Sequence, residues 1–193
     1  MPVQNRQLRD ALGELLLSPE DALRLDVHGR TDAAVLVPLY LDAGELRAVF
    51  TERRQDLRRH AGEVSFPGGR QDEGEPDLQA TALREAQEEI GLPPDAVEIV
   101  GALTPTPTIV TGYAIYPYVG LIEPGMTWTL SAREVAQVLE LSLNDLRDGY
   151  QRRRLIRRGI PILTDSYTVG EHLIWGATAR IVSDLLERIA PLL

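Results

Sequence analysis

Three glutamates near the middle of the chain are spaced to act together. Glu85, Glu88 and Glu89 stand at i, i+3 and i+4 within Arg84-Glu85-Ala86-Gln87-Glu88-Glu89. On a helix this spacing gathers their carboxylates on one face, while Leu83, Ala86 and Ile90 gather on another. Like charges so placed repel by roughly a few tenths of a kcal/mol in water. A divalent cation reverses that sign, and carboxylate oxygens are the ligands that Mg2+ or Mn2+ prefers. Ions held this way keep waters and bridge to substrate phosphates. Arg84 lies beside the cluster and could neutralise or orient one acid through its guanidinium fork. Upstream, Pro67-Gly68-Gly69 forms a turn that reaches backbone angles closed to other residues and allows close approach. A carbonyl turned inward there could complete a metal shell. A glutamate-rich helix face alone is usually just solvated, and a Pro-Gly-Gly alone is usually an ordinary loop. The combination is far more specific than either part.

The combined pattern resembles the box of the Nudix hydrolase family, which runs Gly, five residues, Glu, seven residues, Arg-Glu-apolar-x-Glu-Glu-x-Gly-apolar. Gly69 and Glu75 match its first part, and Arg84, Glu85, Ala86, Glu88, Glu89, Gly91 and Leu92 its second. Eight residues rather than seven separate Glu75 from Arg84, which gives Glu75 a supporting role as a partner of Arg84. The preceding segment is similar to the signature of the coenzyme A pyrophosphatase branch. Thr51, Arg53, Arg58, Gly62, Phe66, Pro67, Gly68 and Gly69 fall in its register, whereas Val49-Phe50 and Arg54 depart from it. The extra residue inside the box is typical of that branch, and His172 to Ile181 looks like its closing helix.

The resemblance implies one Nudix domain over residues 1–193, with the branch signature at 51–70 and the box at 69–92. It implies an α+β fold, an α/β/α sandwich with a central mixed sheet flanked by helices. It also implies an activity: hydrolysis of the pyrophosphate of coenzyme A and its derivatives, with Mg2+ or Mn2+. The products would be 3',5'-ADP and 4'-phosphopantetheine or its acyl form. Glu85, Glu88, Glu89 and the Gly69 carbonyl would hold metal, with Glu89 the first candidate for general base and Arg84 beside them. Arg53, Arg58, Arg59, Gly68 and Gly69 would contact the substrate. Two other readings stay open. One is a Nudix pyrophosphatase for another nucleoside diphosphate derivative such as ADP-ribose or NADH, against which the upstream arginine-glycine signature argues. The other is a catalytically silent, ligand-sensing Nudix module, against which the three intact box glutamates argue.

These residues need elements to position them. Asp77 to Ile90 reads as a helix, ended by Gly91 and the prolines at 93 and 94. Ala33 to Tyr40 and Leu46 to Arg53 read as strands joined by a hairpin at Asp42-Ala43-Gly44. A long loop then runs to about Pro76. Val97 to Leu103, Tyr113 to Ile122 and Ile160 to Val169 read as strands, with Thr104 to Gly112 a loop. Residues 5–17 read as an amphipathic helix, and Ser18-Pro19 as the start of another. Leu143 to Asp148 reads as a short helix and His172 to Ile189 as a closing one, while Glu134 to Leu141 fits either helix or strand.

Composition narrows the chemistry. The 193 residues suit one compact domain and carry a formal charge of −9, with 29 acidic and 20 basic residues. Every basic residue is arginine, so Schiff-base chemistry and a lysine-bearing P-loop are excluded. The absence of cysteine excludes thiolate zinc sites and a cysteine nucleophile. An acidic surface argues against nucleic acid as partner. The longest apolar run, Ala33 to Leu41, is nine residues, against about 20 for a membrane span. With no secretory core in the first residues, a cytoplasmic enzyme with a small-molecule substrate is the expectation, and a homodimer stays open. The run Arg152-Arg153-Arg154 with Arg157 and Arg158 could receive a phosphate, but reads better as a basic edge strand. His60 and His172 read as structural residues, and Trp175 and Tyr113 as core aromatics that could alternatively stack on a ligand.

Overall fold

The computed structural model describes residues 3–25, 27–56, 61–108, 112–157 and 160–193. Its elements run α1 (Val3–Leu15), α2 (Pro19–Arg24), β1 (Thr31–Asp42), β2 (Glu45–Arg53), β3 (Val64–Ser65), β4 (Gly68–Arg70), α3 (Leu78–Ile90), β5 (Glu98–Ala102) and β6 (Thr106–Pro107). Then come β7 (Tyr113–Leu121), β8 (Val135–Ser142), α4 (Leu143–Asp148), β9 (Tyr150–Arg157), β10 (Ile160–Val169), β11 (His172–Trp175) and α5 (Gly176–Arg188).

Local chemistry sets the boundaries that matter for the site. The Asp77 carboxylate accepts the Ala80 N–H at 2.8 Å and so caps α3, while Gly91, at φ 71°, ends it. The β1–β2 turn places Ala43 and Gly44 at φ 49° and 86°, the left-handed pair that matches strand twist.

The main sheet has the order β3-β2-β1-β7-β5, with β4 beside β1, β6 beside β7 and β8 beside β2. β1 and β7 are parallel from Thr31↔Tyr113 to Leu39↔Leu121; the other pairings are antiparallel, so the sheet is mixed as expected. β1 pairs with β2 only over Leu39 to Asp42, then with β4 over Ala33 to Val35. The two long strands therefore part, and β4 fills the gap. The Leu36 N–H donates to the Pro67 carbonyl at 2.9 Å and fixes the diglycine there.

Both faces of this sheet are covered. Leu78, Ala82, Ala86 and Ile90 of α3 pack on one face with Ala34, Leu36, Val49 and Tyr118. Leu12 of α1, Leu143 and Leu146 of α4, and Ile181, Val182 and Leu185 of α5 pack on the other with Val37, Leu39, Phe50 and Val119. This is the α/β/α sandwich. Among the described residues no helix is long and apolar enough to cross a membrane.

Several segments differ from the sequence reading. The long loop before Pro76 contains β3 and β4, the loop at 104–112 contains β6, and the ambiguous stretch at 134–141 is strand β8. The closing helix does not begin at His172. Residues His172–Trp175 pair with β10, and Gly176, at φ 69°, turns the chain into α5. A four-residue segment fits either period, and here sheet pairing decides it. β9, with Arg152, Arg153 and Arg154, is the outer strand of a second sheet, β11-β10-β9.

Candidate active site

α3 lies over the place where β1 and β2 part, and its acids meet the diglycine there. The two glycines have different jobs. A Cβ on Gly68 would lie 2.3 Å from the Ala34 carbonyl, so its lack of a side chain serves strand pairing. A Cβ on Gly69 would lie 2.2 Å from Glu85 Oε1, so its lack of a side chain lets that carboxylate rest against the backbone.

Arg84 splints the acids. Its Nε lies 2.7 Å from Glu75 Oε1, its Nη2 3.0 Å from Glu85 Oε1, and its Nη1 3.0 Å from Glu88 Oε2. Nη2 also donates to the Arg70 carbonyl at 3.2 Å. Glu75 accepts in addition from the Asp72 N–H and the Thr81 hydroxyl, each at 2.7 Å. With Arg84 contributing most, these donors hold the Glu75 pKa down to about 2. Glu75 is thus a permanent anion that anchors Arg84, the pairing expected from the spacing.

Glu89 is the reverse case. It is 5% exposed, and its Oε2 is buried with no hydrogen-bond partner among the described residues. Arg53 Nη1 stands 3.8 Å from its other oxygen. Burial pushes the Glu89 pKa up to about 8; Arg53 opposes this and the neighbouring Glu85 and Glu134 add to it. Burial also raises Glu85, against the pull of Arg84.

Glu134 arrives from the segment between β7 and β8, which is tied to the end of α3. The Ser131 N–H donates to the Glu89 carbonyl at 2.9 Å and the Thr129 N–H to the Ile90 carbonyl at 3.0 Å. These bonds satisfy carbonyls that the helix end leaves open. Glu134 Oε2 comes within 3.6 Å of Arg53 Nη2, so Arg53 stands between two acids. Arg53 Nε is buried without a partner among the described residues.

The acids open on a cleft of about 1010 Å³. Arg53, Glu63, Gly68, Gly69, Arg70, Glu85, Glu89 and Glu134 line one side of it, while Tyr113, Ile115, Leu163, Trp175, Thr178 and Arg180 line the rest. The structure thus brings Glu85, Glu89, Arg53, Gly68 and Gly69 together. Glu88 is left outside, its side chain 61% exposed and paired with Arg84. Arg84 works from behind the cleft wall. Arg58, Arg59, His60 and Arg158 lie outside the described residues. Arg152, Arg153 and Arg154 are away from the cleft lining. His172 Nδ1 lies 3.2 Å from Glu52 Oε2, in a structural setting. Tyr113 and Trp175 line the cleft rather than filling the core, because β7 begins and β11 ends at its rim. Glu134, Arg70 and Arg180 were not singled out from sequence; no spacing rule links them to the box.

Among the described residues, no three acid or histidine side chains converge into a ready-made cation cage. Arg84 holds Glu85 and Glu88 instead, and Arg53 separates Glu89 from Glu134.

A mixed sheet between helix layers thus presents an arginine-splinted acidic helix at a large cleft. Residues 30–158 match the family model described as the NUDIX domain, and the chain belongs to the Nudix hydrolase family. It is 42% identical to an uncharacterized Nudix hydrolase NudL of Citrobacter koseri over 90% of this chain and 92% of that one. It is 39% identical to the protein of the same description from Enterobacter sp., over 90% of each. Among solved structures, a MutT/nudix family protein from Enterococcus faecalis matches 96% of this chain and 74% of its own, at 12% identity and TM-score 0.55. The NUDIX domain of Shewanella oneidensis NrtR complexed with ADP ribose matches 68% of this chain and 88% of its own, at 18% identity and TM-score 0.51. These two likenesses show the fold.

Proposed function

We propose that this Nudix enzyme is a metal-dependent pyrophosphohydrolase of coenzyme A and its derivatives, releasing 3',5'-ADP and 4'-phosphopantetheine or its acyl form. The branch signature from Thr51 to Gly69 supports this substrate. The observation that carries the hydrolytic reading is Glu89: a buried carboxylate with an unpaired oxygen, beside Glu85 and Glu134, on a cleft at the upper end of the usual range of about 300–1,000 Å³ for ligand sites.

The residues present fit a divalent cation. The orphaned Glu89 Oε2, the Glu85 carboxylate against the bare backbone of Gly69 and the all-oxygen donor set suit Mg2+ or Mn2+. Glu85, Glu89 and the Gly69 carbonyl would hold it, and Glu88 would join them only by leaving Arg84 and turning toward the cleft. Such an ion, when bound, screens the anhydride's negative charge and acidifies a bound water. Glu89 takes the proton of the attacking water through the carboxylate oxygen that the ion leaves free. Water oxygen bonds to one phosphorus, the bridging P–O bond breaks, and the departing phosphate keeps the bridging oxygen. Arg84 keeps Glu85 and Glu88 oriented, and Arg53 offers its guanidinium to a phosphate. The whole chain from 1 to 193 is taken as one such unit.

The test is hydrolysis of a panel of coenzyme A, acetyl-coenzyme A, ADP-ribose and NADH, with and without Mg2+, products identified by mass. The proposal expects Mg2+-dependent 3',5'-ADP from the coenzyme A substrates. AMP from ADP-ribose at higher kcat/KM, with coenzyme A poorly cleaved, would replace it by the alternative nucleotide reading. No turnover of any substrate would favour a silent module.

A further inference from the structure

The cleft is electrostatically two-sided. Its acids, Glu63, Glu85, Glu89 and Glu134, lie just before β3, on α3 and just before β8. The part built by Thr108, β7, β10, β11 and α5 has no carboxylate among its described lining residues, yet it carries Arg180. That guanidinium makes one hydrogen bond among the described residues, from Nη2 to the Pro107 carbonyl. It has no ion pair there. Asp184, one turn along α5, is held elsewhere, by Arg188 at 2.9 Å and by the Thr104 N–H at 2.7 Å. Arg180 is exposed to the water of the cleft, with neighbouring protein atoms lowering its pKa only as far as partial burial allows. A guanidinium that faces an open cleft with no ion pair among the described residues is available to an incoming anion. Thr178 also lines the cleft and adds a hydroxyl to this end. Arg53, by contrast, is engaged by two acids.

We propose that Arg180 is a specificity-determining residue whose guanidinium binds a phosphomonoester of the substrate away from the scissile pyrophosphate. This rests on the coenzyme A reading, in which that group is the ribose 3'-phosphate. The cleft then has one end for hydrolysis and one end that reads the additional anion. A guanidinium fork is the donor set that fits a phosphate monoester.

The test compares wild type with Arg180→Gln and Arg180→Lys on coenzyme A and 3'-dephospho-coenzyme A. Charged hydrogen bonds contribute about 1.5–3 kcal/mol, so Arg180→Gln should lower the ratio of the two kcat/KM values by about tenfold or more, mainly through KM. Arg180→Lys should restore part of that ratio. An unchanged ratio in Arg180→Gln overturns the inference, because loss of the Pro107 bond alone would depress both substrates together. Calorimetric binding of 3',5'-ADP against 5'-AMP separates this inference from the coenzyme A reading. If coenzyme A is not hydrolysed but 3',5'-ADP binds more weakly to Arg180→Gln while 5'-AMP does not, the subsite stands and the substrate reading falls. If wild type does not favour 3',5'-ADP over 5'-AMP, the subsite falls.

Discussion

The two ends of the cleft are built on different principles. At the α3 end the scaffold is tightly bonded, with Arg84 holding three acids, Glu75 holding Arg84, and Asp77 and Gly91 fixing the helix between them, while Glu89 Oε2 and Arg53 Nε lack partners among the described residues. At the α5 end, side chains from β7, β10, β11 and α5 line an open surface, with Leu163 59% exposed. The first arrangement suits chemistry, which tolerates little displacement of its groups. The second suits recognition, where affinity comes from a few contacts and many substitutions cost little.

Substitutions should separate the two ends, with the largest effects at α3. Glu89→Gln should lower kcat by about 10²–10⁴-fold, the usual range for loss of an acid–base group, with the fold retained. Turnover within a few-fold of wild type would remove Glu89 from the reaction.

Next come the adjacent glycines. Gly69→Ala pushes a Cβ into the Glu85 carboxylate, a flexible neighbour, and should cost activity by about tenfold or more with Tm close to wild type. Gly68→Ala meets the Ala34 backbone carbonyl instead and should destabilise by about 1–3 kcal/mol in thermal unfolding. If Gly69→Ala melted early and stayed active, the assigned roles would be reversed.

Two acids of the same site should respond to pH in opposite directions. The Glu89 pKa is raised to about 8, so its stabilising contribution is complete below the unfolded value of 4.5 and is lost as pH rises through about 8. Glu89→Gln stays neutral, so its Tm advantage over wild type should grow from pH 5 to pH 9 in metal-free buffer. The Glu75 pKa is lowered to about 2, so its contribution is present above 4.5 and lost as pH falls toward 2. Glu75→Gln should therefore lie below wild type at pH 7 and converge with it in acid. Parallel curves for both variants would contradict the opposed environments of the two carboxylates.

The smallest effect belongs to the open end. Leu163→Ser should raise KM by about two- to fivefold and leave kcat near wild type, because one exposed apolar contact contributes little. A collapse of kcat would mean that β10 takes part in chemistry.

The same contrast explains what the sequence revealed. α3 was legible because cap, period, stop signal and box all fall within one short segment. The split between Glu88 and Glu89 was harder to read: they are about 100° apart on the helix, so packing against the sheet buries one and leaves the other in water. β11 was misread because His172, Leu173, Ile174 and Trp175 are too few to show a period. Glu134 and Arg180 join the cleft only through tertiary structure, since an isolated charged residue beside a strand or on a helix carries no local mark of its neighbours.

The central claim is that the α3 acids hold a divalent cation at the cleft. The direct measurement is Mn2+ binding to the wild-type protein and to Glu85→Gln/Glu89→Gln, followed by electron paramagnetic resonance of free Mn2+ alongside thermal unfolding. The account predicts saturable binding by wild type and its loss in a double variant that still unfolds cooperatively. Equal Mn2+ binding by the two proteins, or none by either, would contradict it.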